Sequence, residues 1–429
     1  MKRSLTFWLG LLPLMILAQP YTVEGGHTRH RFAQLTLGAD MLWMPGGGTG
    51  YHLQENQPVA YSFGNQLIPR IIIAGTHFWG HADFYVNFPV GGLLAQRPAD
   101  DVRVSVSPGV ETGARVYPWA IRRGAIRLFG GIAFAISDFQ LVQGDQAGAW
   151  VNRTTLPLQA GITYQRGAKL FDLGVRYALR QPFTYYLDRT QAQTHELPAW
   201  GVFLGMKYSL ETTLSAEKPY RDGTTQRRVD VLAAAGKLNS FSLAIGPSAA
   251  FTLGKGQSTY NRGDRAFLDQ YTGSGIFPDA GLGYYHHRWD AHINLAYRAY
   301  AEGRRAYDYE QLLRRRSVAL EAYKFLFDFH GFVPFVGPHV SWDMWRFEEK
   351  DLGQTVHSQT DARLLPGITF GWDIRPDRLQ SFILRTNLRY TPYVLDTPGD
   401  TRLFLHQLEF NFIQLVIYPQ RARALRQQP

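Results

Sequence analysis

The chain has 429 residues, a net charge of +10, only 19% charged residues, and 42 Gly, 27 Phe, 23 Tyr and 10 Trp, with no cysteine at all. Without cysteine there is neither a disulfide framework nor a lipidated N-terminus. The positive charge gathers in "RRR" at 314–316 and in the tail "QRARALRQQP", which for an exported chain points to anionic lipid headgroups or lipopolysaccharide rather than nucleic acid.

Lys2 and Arg3 precede an apolar stretch from Leu5 to Leu17 and the small residue Ala18, so residues 1–18 read as a secretory signal peptide. No later apolar run is long enough for a membrane helix, which leaves a secreted β-protein or a transmembrane β-barrel. Period-two alternation then recurs along the chain. Strands are expected near 32–42, 70–78, 81–90, 102–118, 126–138, 155–165, 169–180 and 199–210. A second set is expected near 240–253, 276–286, 289–300, 317–329, 332–345, 363–374, 381–391 and 403–417.

In 102–117, Val102, Val104, Val106 and Val110 share an apolar face opposite Arg103, Ser105, Ser107, Glu111 and Arg115. In 289–298, Trp289, Ile293, Leu295 and Tyr297 oppose Asp290, His292, Asn294 and Arg298. Long links alternate strictly with short ones such as "WG", "RGA", "HHR" and "HG". Residues 301–316 and the segments "VQGDQAGAWVNR" and "EEKDLGQTVHSQT" count among the long links. Short turns on one side and long loops on the other are the signature of a transmembrane barrel, which places both termini and the short turns in the periplasm.

The chain also repeats itself. Gly131 and Gly337, Gly161 and Gly367, and Ala74-Gly75 and Ala280-Gly281 all stand 206 residues apart, an offset that reaches 213 at Arg176 and Arg389. Each copy holds eight strands, the smallest number that closes a membrane barrel. The expected fold is therefore all-β: a transmembrane antiparallel up-and-down barrel of about sixteen strands built from two eight-stranded repeats, or alternatively two tandem eight-stranded barrels. The expected organisation is 19–210 for the first repeat, 211–239 for a periplasmic linker and 240–429 for the second repeat with its basic tail. Within the linker, "VDVLAAAG" could add a strand.

"GVETGARVYPW" and "FHGFVPFVGPHVSW" resemble the small OmpA-like outer-membrane β-barrels of Bacteroidetes-type Gram-negative bacteria. "HQLEFNFIQLVIYP" resembles the terminal strand that such barrels present to the insertion machinery, although a basic tail follows Tyr418. The resemblance implies residence in the outer membrane, with lipid, lipopolysaccharide and the insertion machinery as partners.

No hydrolase elbow, phosphate loop or zinc helix is present, and neither catalysis nor a cofactor nor a metal is expected. His286-His287 read as a solvated turn. The arginines of 304–316 are of a kind that pairs with phosphate, in what reads as a solubilised extracellular loop. The functional candidates are the residues expected to face the lumen: Asp83, Asn87, Asp172, Arg176, Arg180, Asp290, His292, Asn294, Arg298, Arg385, Asn387, Arg389 and Glu409. Lining an open channel, they would make a passive pore for small polar solutes. Paired across a closed interior, they would leave a non-conducting barrel that acts through its loops in adhesion, surface binding or envelope assembly. On the first reading Asn294→Arg is well tolerated.

Overall fold

The computed structural model describes residues 33–427 apart from 92–95, 120–123, 180–181, 211–223, 254–257, 264, 269–272, 328–331, 375–380 and 398–400. The expected signal peptide lies outside the described residues. Sixteen long strands form the walls. The first eight are β1 (Ala33–Met44), β2 (Gln66–His77), β3 (Ala82–Pro89), β4 (Val102–Val116), β5 (Ile126–Gln143), β6 (Leu158–Arg166), β7 (Lys169–Tyr177) and β8 (Trp200–Leu210). The second eight are β9 (Ser240–Thr252), β10 (Phe277–His286), β11 (Ala291–Ala306), β12 (Tyr309–Phe325), β13 (Phe332–Asp351), β14 (Gln354–Ile374), β15 (Phe382–Thr391) and β16 (Gln407–Ile417).

Each set closes on itself. In the first, β1 pairs with β8 and β4 pairs with β5, so the antiparallel ladder runs full circle. In the second, β9 pairs with β16. The chain is thus two eight-stranded barrels in tandem and not a single sixteen-stranded one. β8 pairs with β1 from Leu35–Leu210 to Trp43–Val202, which leaves β9 to pair with β16.

The repeated residues fall on corresponding strands. Gly131 and Gly337 lie on the fifth strand of each barrel, and Gly161 and Gly367 on the sixth. A Cβ at Gly131 or Gly337 would strike the carbonyl oxygen of Ala114 or Ala322 on the preceding strand. Only glycine allows the wall to curve this tightly there.

Three sequence expectations are revised. Residues 301–316, 142–153 and 348–360 are not loose loops but continuations of paired strands. β11 and β12 meet in a two-residue turn, Tyr307-Asp308, and β13 and β14 meet at Leu352-Gly353. Both central residues of each turn have positive φ (50° and 63°, then 47° and 79°), as tight hairpins with right-handed twist require. Second, "VDVLAAAG" lies in a helix, α1 (Thr224–Ala234), and adds no strand; the tail forms α2 (Pro419–Arg426). Third, Val102, Val104 and Val106 are buried, while Arg103 is exposed. A register shift between Pro108 and Glu111 inserts an extra residue, so the face that points inward changes along β4.

Below that bulge the polarity of both barrels is inverted relative to a soluble protein. Leu128, Leu173, Leu204, Ile293, Leu295 and Leu320 are exposed, whereas Arg115, Asp172, Arg298 and Glu409 are buried. Exposed Trp43 and Trp200 stand at the hairpin end of the first barrel and Tyr208 at its short-turn end. An apolar belt bounded by aromatic rings around a polar interior is the surface of a barrel that spans a membrane. No helix among the described residues is long and apolar enough to do so.

The alternation of hairpins and tight turns fixes an orientation that labelling can test. Cysteines placed at Gln146 and Gln354, exposed residues directly after the hairpin turns, should react with an impermeant thiol reagent on intact cells, and one at Ala168 should not. Reaction at Ala168 alone would invert both barrels.

Candidate functional site

The inward residues of β1–β8 form a filled column of ion pairs. Arg70 on β2 holds Asp40 at 2.7 Å and Glu111 at 3.4 Å, and Arg176 on β7 holds the other Glu111 oxygen at 2.7 Å. One layer nearer the short turns, Arg115 holds Asp172 at 2.9 Å, and Lys207 bridges Asp172 at 3.0 Å and Asp83 at 2.9 Å. Asp40, Asp83, Glu111 and Asp172 thus face Arg70, Arg115, Arg176 and Lys207, and a fifth buried cation, Arg127, donates to the Gly80 carbonyl at 2.6 Å and lies 4.1 Å from the Tyr117 ring centroid. Rings fill the space between: the Arg115 guanidinium lies 4.7–4.9 Å from the centroids of Tyr85, Phe129 and Phe203. Such stacking keeps a desolvated cation in contact with π-electron density.

The second barrel gathers its charges around Glu409 on β16. Arg298 and Arg389 each reach one Glu409 oxygen at 2.6 Å, and Arg315 contacts the other. Arg298 also holds Asp279 at 2.7 Å, Arg315 holds Asp343 at 2.7 Å, and Arg385 holds Asp373 at 2.7 Å. Asn294 donates to Glu321 at 2.9 Å, and Asn411 donates to Asp279 at 2.9 Å. Buried charges are tolerated in a low-dielectric interior only when paired and hydrogen-bonded in this way.

Both ends of this second column are shut. At the short-turn end, Tyr285, Tyr323, Phe325, Phe335 and Tyr418 form an aromatic floor. The α2 helix places the fully buried Arg421 against Tyr285 and Tyr418, at 4.7 and 4.2 Å from their ring centroids. At the hairpin end, Tyr260, Trp345, Tyr393, Leu395, Leu403 and Leu405 pack into a lid.

The barrels join at the hairpin end. Tyr307, at the tip of the β11–β12 hairpin, enters an apolar cluster that belongs mostly to the first barrel and includes Val102, Val104, Phe139 and Tyr185. Its N–H donates to the Ala147 carbonyl at 3.0 Å and its hydroxyl to the Tyr186 carbonyl at 2.6 Å. Arg189 holds Asp351 across the same junction at 2.7 Å. Nearer the membrane, Phe134 meets Phe251 edge-on at 4.8 Å, beside a cleft of about 690 Å³ between the two walls. Over the cluster, His195 is fully buried among Tyr51, Phe139, Phe183 and Tyr185, and neither of its nitrogens has a hydrogen-bond partner among the described residues.

Of the expected lumen residues, Asp83, Asn87, Asp172 and Arg176 are buried inside the first barrel. His292, Asn294, Arg298, Arg385, Asn387, Arg389 and Glu409 are buried inside the second. Asp290 is a correction: it sits in the turn before β11 with φ 45°, where its carboxylate accepts a hydrogen bond from the Tyr285 hydroxyl. The alternation that carried it inward ends at Ala291, the first residue of the strand. Arg180 lies outside the described residues. The sequence reading missed Arg70, which stands in the continuous apolar run "IPRIIIAG", and Arg315, which was concealed in "RRR"; Asp40 and Lys207 stand on strands of plain period-two alternation, which was the signal that could have found them. Glu111 and Arg115 were placed on a polar face without being singled out. Among the described residues no three His, Asp or Glu side chains are arranged to hold a metal.

No protein-family model matches the chain, and no curated protein sequence matches it. Several solved structures match it at low similarity. Neisserial surface protein A matches at 15% identity and TM-score 0.29, over 42% of this chain and 98% of its own. The attachment invasion locus protein of Yersinia pestis, solved with the heparin analogue sucrose octasulfate, matches at 10% and TM-score 0.28, over 42% and 97%. The toluene transporter TodX of Pseudomonas putida matches at 8% and TM-score 0.18, over 94% and 92%.

The filled lumen changes what two neighbouring substitutions should do. Leu295→Arg puts a charge on the lipid face and should cost about 2–4 kcal/mol in urea titration of the protein refolded into vesicles. Asn294→Arg should cost at least as much, because Asn294 packs against Gly281 and bonds Glu321 where no water-filled space receives a longer side chain. Near-neutral behaviour of Asn294→Arg would mean an open lumen.

His195 makes the junction acid-sensitive. Burial pushes its imidazole down to about 4 from the ordinary 6.5. The open state therefore binds the proton more readily than the closed one, so the packing is fully stable above pH 6.5 and loses stability as pH falls toward 4. Amide-exchange protection of the hairpin Phe183–Tyr186/Ala192–His195 should decline across that window, and His195→Phe should abolish the decline. Protection that is flat with pH in the unaltered protein would refute this.

Proposed function

We propose that this protein is a non-conducting outer-membrane barrel pair whose working surface is the shared platform of hairpins at its outer end. It serves adhesion, surface binding or envelope assembly and catalyses no reaction. The observation that carries this is the pairing of the inward charges. Eight strands enclose a space that side chains fill, and here most of the charged ones are held in ion pairs with one another. A solute path would have to break several buried ion pairs, each strongly unfavourable to open on one side only. Outer-membrane residence is supported by the apolar belt and the aromatic girdle. The matched glycines on the fifth and sixth strands support an origin of the two halves by duplication of one eight-stranded unit.

Conductance tests the reading directly. Purified protein in a planar bilayer should give no unitary current steps in molar salt. Reproducible ohmic steps, lost when Glu409 is replaced by Gln, would instead establish the passive pore for small polar solutes.

A further inference from the structure

Arg314, Arg315 and Arg316 do not act together. Alternation along β12 turns Arg315 inward to Asp343, while Arg314 and Arg316 are exposed on the outer wall. Strand pairing fixes their neighbours row by row. The row Tyr297–Val318–Trp342–Leu364 crosses β11 to β14 and is exposed throughout. Above it comes Ala299–Arg316–Met344–Ala362, and above that Ala301–Arg314–Arg346–Thr360. Arg314 stands directly opposite Arg346, an unfavourable like-charge pair if nothing lies between them.

Their height on the wall is also fixed. From Phe325, its last residue at the short-turn end, to Arg316, β12 climbs roughly 23 Å, at about 3.3 Å per residue and a tilt of about 40°. That nearly spans an apolar band of about 25 Å, so Arg316 and Arg314 lie where hydrocarbon gives way to headgroups, just above Trp342. Ala299, Ala301, Ala362 and Thr360 leave the flanks low, so the two guanidiniums rise from a shallow basin. Neither Arg314 nor Arg316 forms an ion pair among the described residues, and the nearest acid on this face, Glu348, is engaged by Arg346 at 3.0 Å and Lys350 at 3.6 Å.

We infer that this basin is a binding site for the phosphorylated headgroup of an outer-leaflet lipid, whose acyl chains run down the Val318–Leu320 and Trp342–Val340 wall. A phosphate between Arg314 and Arg316, beside Arg346, offsets the repulsion among these cations and accepts the forked donors of Arg314 and Arg316 in pairs. The apolar row beneath supplies the contact that a free anion lacks. The inference rests on the membrane embedding alone and stands whether or not the barrels conduct.

The test titrates diphosphoryl lipid A into the full-length protein in neutral detergent, with bound lipid read by native mass spectrometry. The variant Arg314→Gln/Arg316→Gln should bind about tenfold more weakly, as expected for loss of charge-assisted bonds. Arg423→Gln/Arg426→Gln, on exposed positions of α2, should bind as the unaltered protein does. Inorganic phosphate in large excess should not displace the lipid. Equal binding by the first variant, an equal loss in the second, or displacement by phosphate alone would each overturn the site. Urea midpoints of both variants in vesicles, expected to be unchanged, separate loss of the site from loss of the fold.

Discussion

At membrane depth every backbone N–H and C=O has to find its partner within the protein, because hydrocarbon offers none. Each half of this chain meets that demand alone, by closing on eight strands, the narrowest closure there is. A narrow closure places opposite walls within side-chain reach, and residues that would line water in a wide pore meet one another instead. Glu409 shows the result: arginines from β11, β12 and β15 converge on one carboxylate of β16. The pairing of the charges inside is thus a consequence of diameter.

The outer end answers to the same constraint. Strands long enough to span the bilayer need about ten residues, yet β13 and β14 run to 20 and 21. The excess rises beyond the apolar belt as paired hairpins that carry their own small cores. There the two barrels meet by ordinary soluble-protein packing, with Tyr307 seated among rings of its neighbour, and there a buried uncharged histidine is tolerated only while the cluster stays dry.

Much of this was legible in the sequence. β10 and β11 follow the plain alternation of 276–286 and 289–300, and Asp172, Arg176, Arg298 and Arg389 were readable as inward because period two fixes the face once one residue is placed. What alternation does not encode is the partner. A barrel of sixteen strands and two of eight share the same strands, turns and inward faces, and differ only in whether β8 pairs with β1 or with β9. Nor does alternation survive a bulge: the extra residue at Pro108–Glu111 turned Val102, Val104 and Val106 from expected lipid contacts into core. The long hairpins were hidden for a third reason. Their turns place Tyr307 and Leu352 at positive φ, where glycine or asparagine is the usual signal.

Two separate closures also mean two separate seams. The β9–β16 seam is sealed by β16, with α2 packed directly behind it. The β1–β8 seam is sealed by "WGVFLGMKYSL", with half of the polypeptide still attached beyond it. The first cylinder is therefore completed by an internal segment and takes no strand from β9–β16. Because one chain carries both, each barrel meets the other at a local concentration that no pair of free proteins would experience.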